Sequence, residues 1–225
     1  MPGKMIYYQQ LAEAVTHQIA GDAQEWARFL TMAARLYKYP YHEQLLIYAQ
    51  RPNATACAGY DLWNNTMHRY VRRGSKGIAL LSPTAHGVQL RYVFDVADTG
   101  RGRDAREPFL WSLDAENIPA VAAALADAYG NNAETPLVEQ LHQVALQVTE
   151  NYFAEHTQEL GDILAESSVT GYDEDALRGL AAESISYMLA SRCGLQPEVP
   201  AFTELASLAG QPKVIEALGI AVSTG

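Results

Sequence analysis

The sequence predicts an α+β fold, with N-terminal helices and a small antiparallel sheet followed by a mostly helical C-terminal region. Three observations predict it. Apolar residues recur at helical spacing over residues 8–36. They then alternate with a period of two from Val88 to Val96, and helical spacing returns after about residue 115. With 225 residues, the chain is long enough to bury the core of one large domain or two small ones.

The first predicted elements are helices. Residues 8–36 are expected to form one or two amphipathic helices, with a break at Gly21-Asp22. A short helix follows Pro40 and ends before Pro52, because a proline disfavours helical geometry in the residue that precedes it. Residues 60–68 are expected to form another short helix that Asp61 opens as an N-cap.

The predicted sheet begins at Tyr70. The expected order is a strand at Tyr70-Val71, a turn at 74–77, a strand at 78–81, a turn at 83–87 and a strand at 88–96. The last strand alternates strictly, with apolar side chains at Val88, Leu90, Tyr92, Phe94 and Val96. This alternation predicts a half-buried antiparallel hairpin. The Gly- and Arg-rich segment 98–108 is expected to be a flexible loop near a domain boundary.

The second half is expected to be an acidic set of helices. Its predicted breaks contain glycine or proline and lie at 130–132, near Gly161, at Gly171, at 194–200 and at 210–212. The most regular helix is expected over 175–192, with Gly194 as its stop. We therefore predict two domains, residues 1–110 and residues 111–225.

The net charge of −10 is distributed very unevenly. Residues 1–110 hold 13 Lys/Arg against 9 Asp/Glu, a net of +4, whereas residues 111–225 hold 3 against 17, a net of −14. No acidic residue lies between Asp61 and Asp95. A polyanionic partner is therefore expected to bind the first half, and a basic protein partner would bind the second.

Composition also argues against a membrane protein. No apolar run approaches the roughly 20 residues that span a bilayer, and the N-terminus lacks the apolar stretch of a secretory signal, so we expect a cytoplasmic protein. The two cysteines, Cys57 and Cys193, are expected to be reduced thiols, since neither belongs to a metal-binding or redox motif.

The sequence contains no complete catalytic motif, so we expect neither an enzyme nor a cofactor. The six histidines are scattered outside any HExxH or carboxylate–His pattern, at His17, His42, His68, His86, His142 and His156. No serine lies in a GxSxG elbow. A hydrolase with an unfamiliar metal ligand set is left as a third alternative, and would require a stoichiometric metal.

Residues 37–76 combine seven aromatic side chains with six basic ones. Proteins that bind single strands without sequence preference stack bases on aromatic rings and contact phosphates with cations. The candidate phosphate contacts are Arg69, Arg72, Arg73, Lys76, Arg51 and Lys38, and the candidate stacking residues are Tyr48, Trp63 and Tyr70. The alternative is that the tyrosines pack a small core and the arginines form a solvated strand end.

Four ordered segments resemble the N-terminal domain of ArdC-type antirestriction proteins. The family has an N-x-x-L-L helix, a tryptophan, a V-R-K-G-E-K-G turn and a V-F-N-V strand. The similar segments here are YHEQLLIYA at 41–49, Trp63, VRRGSKGI at 71–78 and VFDV at 93–96. The variant resembles the first module of large conjugative-transposon proteins of Firmicutes that continue into helicase or methylase domains.

The resemblance implies sequence-independent binding of single-stranded DNA, in the handling or protection of mobile-element DNA. The fuller family adds a zincin-like domain with HExxH on one helix and a glutamate ligand on a later helix. Glu183 is similar to that glutamate, but the absence of HExxH here leaves a metal-less remnant as the interpretation of residues 111–225. The alternative function is a protein-interaction or scaffolding module at the start of a larger mobile-element protein.

Overall fold

The computed structural model describes residues 2–85, 87–111, 113–166, 174–208 and 210–224, and its fold is α+β as predicted. The helices are α1 Pro2–Ala20, α2 Ala23–Arg35, α3 Tyr41–Gln50, α4 Ile118–Tyr129, α5 Leu137–Glu155, α6 Thr157–Glu166, α7 Glu174–Arg192, α8 Leu205–Leu208 and α9 Pro212–Thr224. The strands are β1 Cys57–Gly59, β2 Arg69–Val71, β3 Ile78–Thr84, β4 Gly87–Asp95 and β5 Thr99–Arg101.

The chain folds into two compact units. The sheet unit comprises Met1–Val15 and Arg35–Leu110, and the helical unit comprises Thr16–Ala34 and Trp111–Gly225. The predicted division at residue 110 therefore differs from the observed units at residues 16–34, which pack within the helical unit. The sheet unit holds 12 Lys/Arg against 7 Asp/Glu, a net of +5, and the helical unit holds 4 against 19, a net of −15.

The main sheet has the order β1-β4-β3 and is antiparallel throughout. β3 and β4 form the predicted hairpin, with a register running from Ile78 opposite Val93 to Thr84 opposite Gly87. Buried apolar residues of α3 pack on the face of the sheet that carries Leu80 and Val93. At the open edge of β3, the side chain of Gln50 donates to the carbonyl of Ala79 at 2.9 Å and accepts from its amide at 2.9 Å.

The alternating apolar residues of β4 do not form the buried face of the predicted hairpin. Val93 and Asp95 are buried, whereas Val88 and Tyr92 are exposed. The reason is tertiary: α3 packs on the sheet face that carries the odd-numbered residues of β4, where its Glu43 carboxylate pairs with Arg91. The apolar, even-numbered residues consequently lie on the opposite face.

β2 and β5 form a separate two-stranded antiparallel sheet, in which Arg69 lies opposite Arg101 and Tyr70 opposite Gly100. The turn predicted at 74–77 joins two separate sheets, because β2 pairs with β5 and not with β3. The segment 98–108 is not entirely loop, because its first residues form β5.

The expected short helix over 60–68 is present, but Asp61 is not its cap. Asp61 has helical backbone angles, φ −65° and ψ −38°, and makes no capping hydrogen bond, because it lies inside the first turn. Leu62–Thr66 continues as a π-helical turn that buries Trp63.

The helical unit packs α5 against α7 and α7 against α9. Trp26 of α2 belongs to this core, since its Nε1 donates to Ser184 Oγ at 2.9 Å. Gly161 lies inside α6, so the predicted break there was wrong: the helix ends one turn earlier, at His156. The break predicted at Gly171 lies outside the described residues. No helix in the described part of the chain has the length and apolar character needed to cross a bilayer.

Candidate nucleic-acid surface

The basic loop, residues 72–77, connects β2 to β3. Its ends are anchored on the turn Val96–Asp98: the amide of Arg72 donates to the Asp98 carbonyl at 2.9 Å, and Ser75 Oγ donates to the same carbonyl at 3.3 Å. The amide of Ser75 donates to the Arg72 carbonyl at 3.1 Å, and Gly74 adopts φ +89° inside this turn. The loop therefore has a fixed shape in which only glycine fits easily at position 74.

The carboxylates of Asp95 and Asp98 stabilise the turn Val96–Asp98 through hydrogen bonds. Buried Asp95 accepts from the amides of Thr55 at 2.7 Å and Ala97 at 2.9 Å, so its charge is compensated by donors. Arg51 Nη1 donates to Asp98 Oδ1 at 2.9 Å and to Asp98 Oδ2 at 2.8 Å. Arg51 therefore links the end of α3 to this turn, and its charge is neutralised by Asp98.

The three cations of the basic loop are exposed. Arg72 donates from Nη1 to the carbonyl of Ala97 at 3.2 Å, an interaction that leaves its charge uncompensated. Arg73 and Lys76 extend from the turn itself, and none of the three forms an ion pair with another described residue. This loop consequently concentrates three free positive charges within five positions of sequence.

Arg69 is in a different environment, although it is only three residues from Arg72. It is 6% exposed, its Nε donates to Thr99 Oγ1 at 2.8 Å, and its Nη1 pairs with Glu107 at 3.0 Å. Glu107 also pairs with Arg101. Arg69 is therefore poorly placed to contact a phosphate, because it is buried and its charge is matched by Glu107.

The three predicted stacking residues separate into core and surface. Tyr48 and Trp63 are 5% and 2% exposed, and Trp63 Nε1 donates to the carbonyl of Phe94 at 2.8 Å, so both belong to the core. Tyr70 is 54% exposed. Its ring lies against Gly100, where a β-carbon would approach Tyr70 Cζ to 2.3 Å. Tyr70 is thus an exposed ring that packs on the backbone of Gly100.

Lys38 lies in the connection between α2 and α3, away from the basic loop in sequence. It is exposed, and its Nζ is 5.7 Å from the centroid of the Tyr37 ring. The next tyrosine, Tyr39, points its hydroxyl inward to the carbonyl of Cys57 at 2.7 Å. Lys38 is therefore available to a polyanion, whereas its aromatic neighbour at position 39 is structural.

Sequence reasoning missed the exposed aromatic residues of the main sheet. Tyr92 on β4 and Tyr60 after β1 are 45% and 56% exposed, and the half-buried Phe94 lies beside Tyr60. The signal was present in the alternation of β4, which places Tyr92 and Phe94 on the same face of the strand.

Neither cysteine provides a nucleophile. Burial, reinforced by the neighbouring Asp95 carboxylate, raises the pKa of Cys57 to about 12. Burial also raises the pKa of Cys193. Both remain free thiols, and neither forms a thiolate near neutral pH.

Glu183, the residue similar to the zincin glutamate, lies on α7 near His142 of α5. Burial raises the pKa of Glu183, and the adjacent His142 partly opposes the rise. Gln143 follows His142, and Leu146 occupies the position one turn further on, so the general-base carboxylate and the second imidazole of a zincin are both missing. Within the described ranges no three His, Cys, Asp or Glu side chains are grouped to hold a metal.

A surface cavity of about 480 Å³ opens where α5 meets α6. Its lining includes the carboxylates of Glu155, Glu159 and Asp162, and His156, whose ring stacks on Tyr152 with centroids 4.1 Å apart. The negative lining would repel nucleic acid, so the basic loop is the better candidate for a polyanion.

Comparison with known proteins adds no relative: no family model, no curated protein and no solved structure matches this chain.

Proposed function

We propose that the sheet unit binds single-stranded DNA without sequence preference, and that the phosphates contact the basic loop. The observation that supports this most directly is the set of three exposed cations at Arg72, Arg73 and Lys76, which form no ion pair with another described residue, in a unit of net charge +5. The carboxylates of Glu43, Asp98 and Glu107 are occupied by other arginines and do not screen the loop.

The proposed activity is binding and not catalysis. The described residues around the basic loop offer hydrogen-bond donors and rings, and the nearest cysteine, Cys57, is protonated. In keeping with the resemblance to ArdC-type domains, the role we propose is the handling or protection of mobile-element DNA in the cytoplasm.

The test is fluorescence anisotropy with a labelled 30-mer of single-stranded DNA and its matching duplex, titrated at low and moderate salt. Saturable binding that prefers the single strand and weakens with salt is expected. The double variant Arg72→Glu/Arg73→Glu should bind more weakly, and its salt slope should flatten by about 0.7 per lost phosphate contact. Its melting temperature should change little, because both side chains are exposed.

The matched control is Arg28→Glu/Lys213→Glu, which makes the same change in net charge on the helical unit. It should leave affinity nearly unchanged, because the proposal places the bound phosphates on the basic loop of the sheet unit. Equal losses in both double variants would reduce the effect to overall charge and defeat the assignment. If no strand binds even at low salt, the interaction-module alternative takes precedence, and a nuclease-resistant pull-down would identify its partner.

A further inference from the structure

The outer face of the main sheet carries aromatic side chains that are partly exposed. Residues that lie opposite one another in antiparallel strands share a face, which places Ala58 with Phe94 and Ala79 with Tyr92 on the side that α3 does not cover. Tyr60 continues the parity of Ala58, and its ring meets Phe94 edge-on, with centroids 6.5 Å apart at 68°. We call Tyr60, Tyr92 and Phe94 the outer face.

Core packing does not account for these rings. The sheet buries its opposite face through Ile78, Leu80 and Val93, each at most 4% exposed. Tyr92 and Tyr60 remain about half exposed, and Tyr8 of α1 lies near Tyr92, since burial and the nearby Tyr92 both raise the pKa of Tyr8. Exposed aromatic groups of this kind commonly mark a binding surface.

Gly77 joins the outer face to the basic loop. A β-carbon at Gly77 would lie 3.1 Å from Tyr92 Cβ and 3.2 Å from Phe94 Cζ, so both side chains pack directly on its backbone. Lys76 is the preceding residue. The positive charges and the rings are therefore adjacent parts of one surface, which matches a ligand that carries negative charge and flat apolar groups along the same chain.

We propose that the outer face stacks the unpaired bases of the strand whose phosphates contact the basic loop, with Tyr92 as the principal ring. This inference rests on the proposed function. The proposed ligand is a single-stranded polynucleotide, because a duplex encloses its bases and an apolar peptide would not require the adjacent cations.

The test compares two labelled strands of equal length and charge, oligo(dT) and the same backbone without bases. The wild-type chain should bind oligo(dT) at least about fivefold more tightly than the abasic strand. Tyr92→Leu should lose most of that preference while its affinity for the abasic strand stays the same. Tyr92→Phe, which keeps the ring, should retain the preference.

The outcomes separate the two proposals. If both strands bind equally and Tyr92→Leu has no effect, base stacking is overturned while phosphate binding at the basic loop stands. If neither strand binds, the proposed function itself fails. Because the wild-type comparison needs no substitution, the inference remains testable even where Tyr92→Leu alters folding.

Discussion

Arg91 on β4 donates from Nε to Oε1 of the buried Glu43 on α3 at 3.2 Å, and its Nη2 contacts the second carboxylate oxygen. Ser82 on β3 donates to the same carboxylate at 3.3 Å. This pair joins α3 to one face of the sheet. Tyr92 and Phe94 lie on the other face, where Tyr92 is 45% exposed and Phe94 is half-buried.

Replacing Arg91 with alanine should destabilise the fold by about 2 kcal/mol, because it leaves the carboxylate of Glu43 buried without its charge partner. Urea denaturation would measure the loss. The double variant Glu43→Gln/Arg91→Ala should recover part of it, since no buried charge remains. DNA affinity should be unaffected, as Arg91 is already neutralised. A stable Arg91→Ala variant would contradict the role assigned to this pair.

Local sequence patterns predicted α3, the hairpin of β3 and β4, and α7, because turn residues and periodicity are local signals. The orientation of β4 was not predictable in the same way. An alternating strand shows that two faces differ, but the covered face depends on α3, whose Glu43 precedes Arg91 by 48 positions. The β2–β5 pairing likewise joins residues about 30 apart, and it decides that Arg69 is buried while Arg72 is free.

Two glycines bracket the proposed surface for different reasons, and alanine substitutions should separate them. Gly77→Ala would push against Tyr92 and Phe94, and should weaken binding of oligo(dT) more than binding of the abasic strand. Gly74→Ala meets no atom within 4 Å but places a side chain at φ +89°. It should cost about 1 kcal/mol in stability.

Anisotropy with both strands and thermal denaturation would measure these two variants. The expected pattern is a base-dependent loss of affinity for Gly77→Ala and a mainly thermal effect for Gly74→Ala. A base-dependent loss in Gly74→Ala alone would contradict the assignment of Gly77 as the joint between the loop and the rings.

The loss of folding stability at alkaline pH should depend on Cys57. Its folded pKa of about 12 exceeds the ordinary value of 9.0, so the unfolded chain releases this proton first. The associated stability is complete below pH 9 and is lost as the pH rises towards 12. Melting temperatures between pH 8 and 11 should therefore fall, and less steeply in Cys57→Ala. Tyr39, with a pKa raised to about 12, contributes in the same direction and remains in the control.

Ser184→Ala should lower the free energy of unfolding by about 1–2 kcal/mol, because it leaves the buried indole N–H of Trp26 without its acceptor. Thermal denaturation would measure the loss. Ser207→Ala removes an exposed serine hydroxyl from the same unit and should have almost no effect. Equal melting temperatures for the two variants would argue against the contribution of this buried bond.

Residues 16–34 also predict how a fragment behaves. An isolated 1–110 fragment would keep α2 but lose its partners, exposing Trp26, Phe29 and Leu30, which are at most 1% exposed in the full chain. It should bind a hydrophobic dye and aggregate. Replacing these three residues with glutamine should suppress both effects in the fragment. A fragment that stays monomeric and dye-free without those replacements would contradict this assignment of α2.

The discontinuity of the helical unit has a consequence during synthesis on the ribosome. Trp26 and Ser184 are 158 residues apart, so at 5–20 residues per second α2 waits roughly 8–30 s for its partner to emerge. Throughout that interval its apolar side is open to other nascent chains and to chaperones, while the sheet hairpin between them can already form. The apolar face of α2 is therefore open to misassembly until α7 has been synthesised.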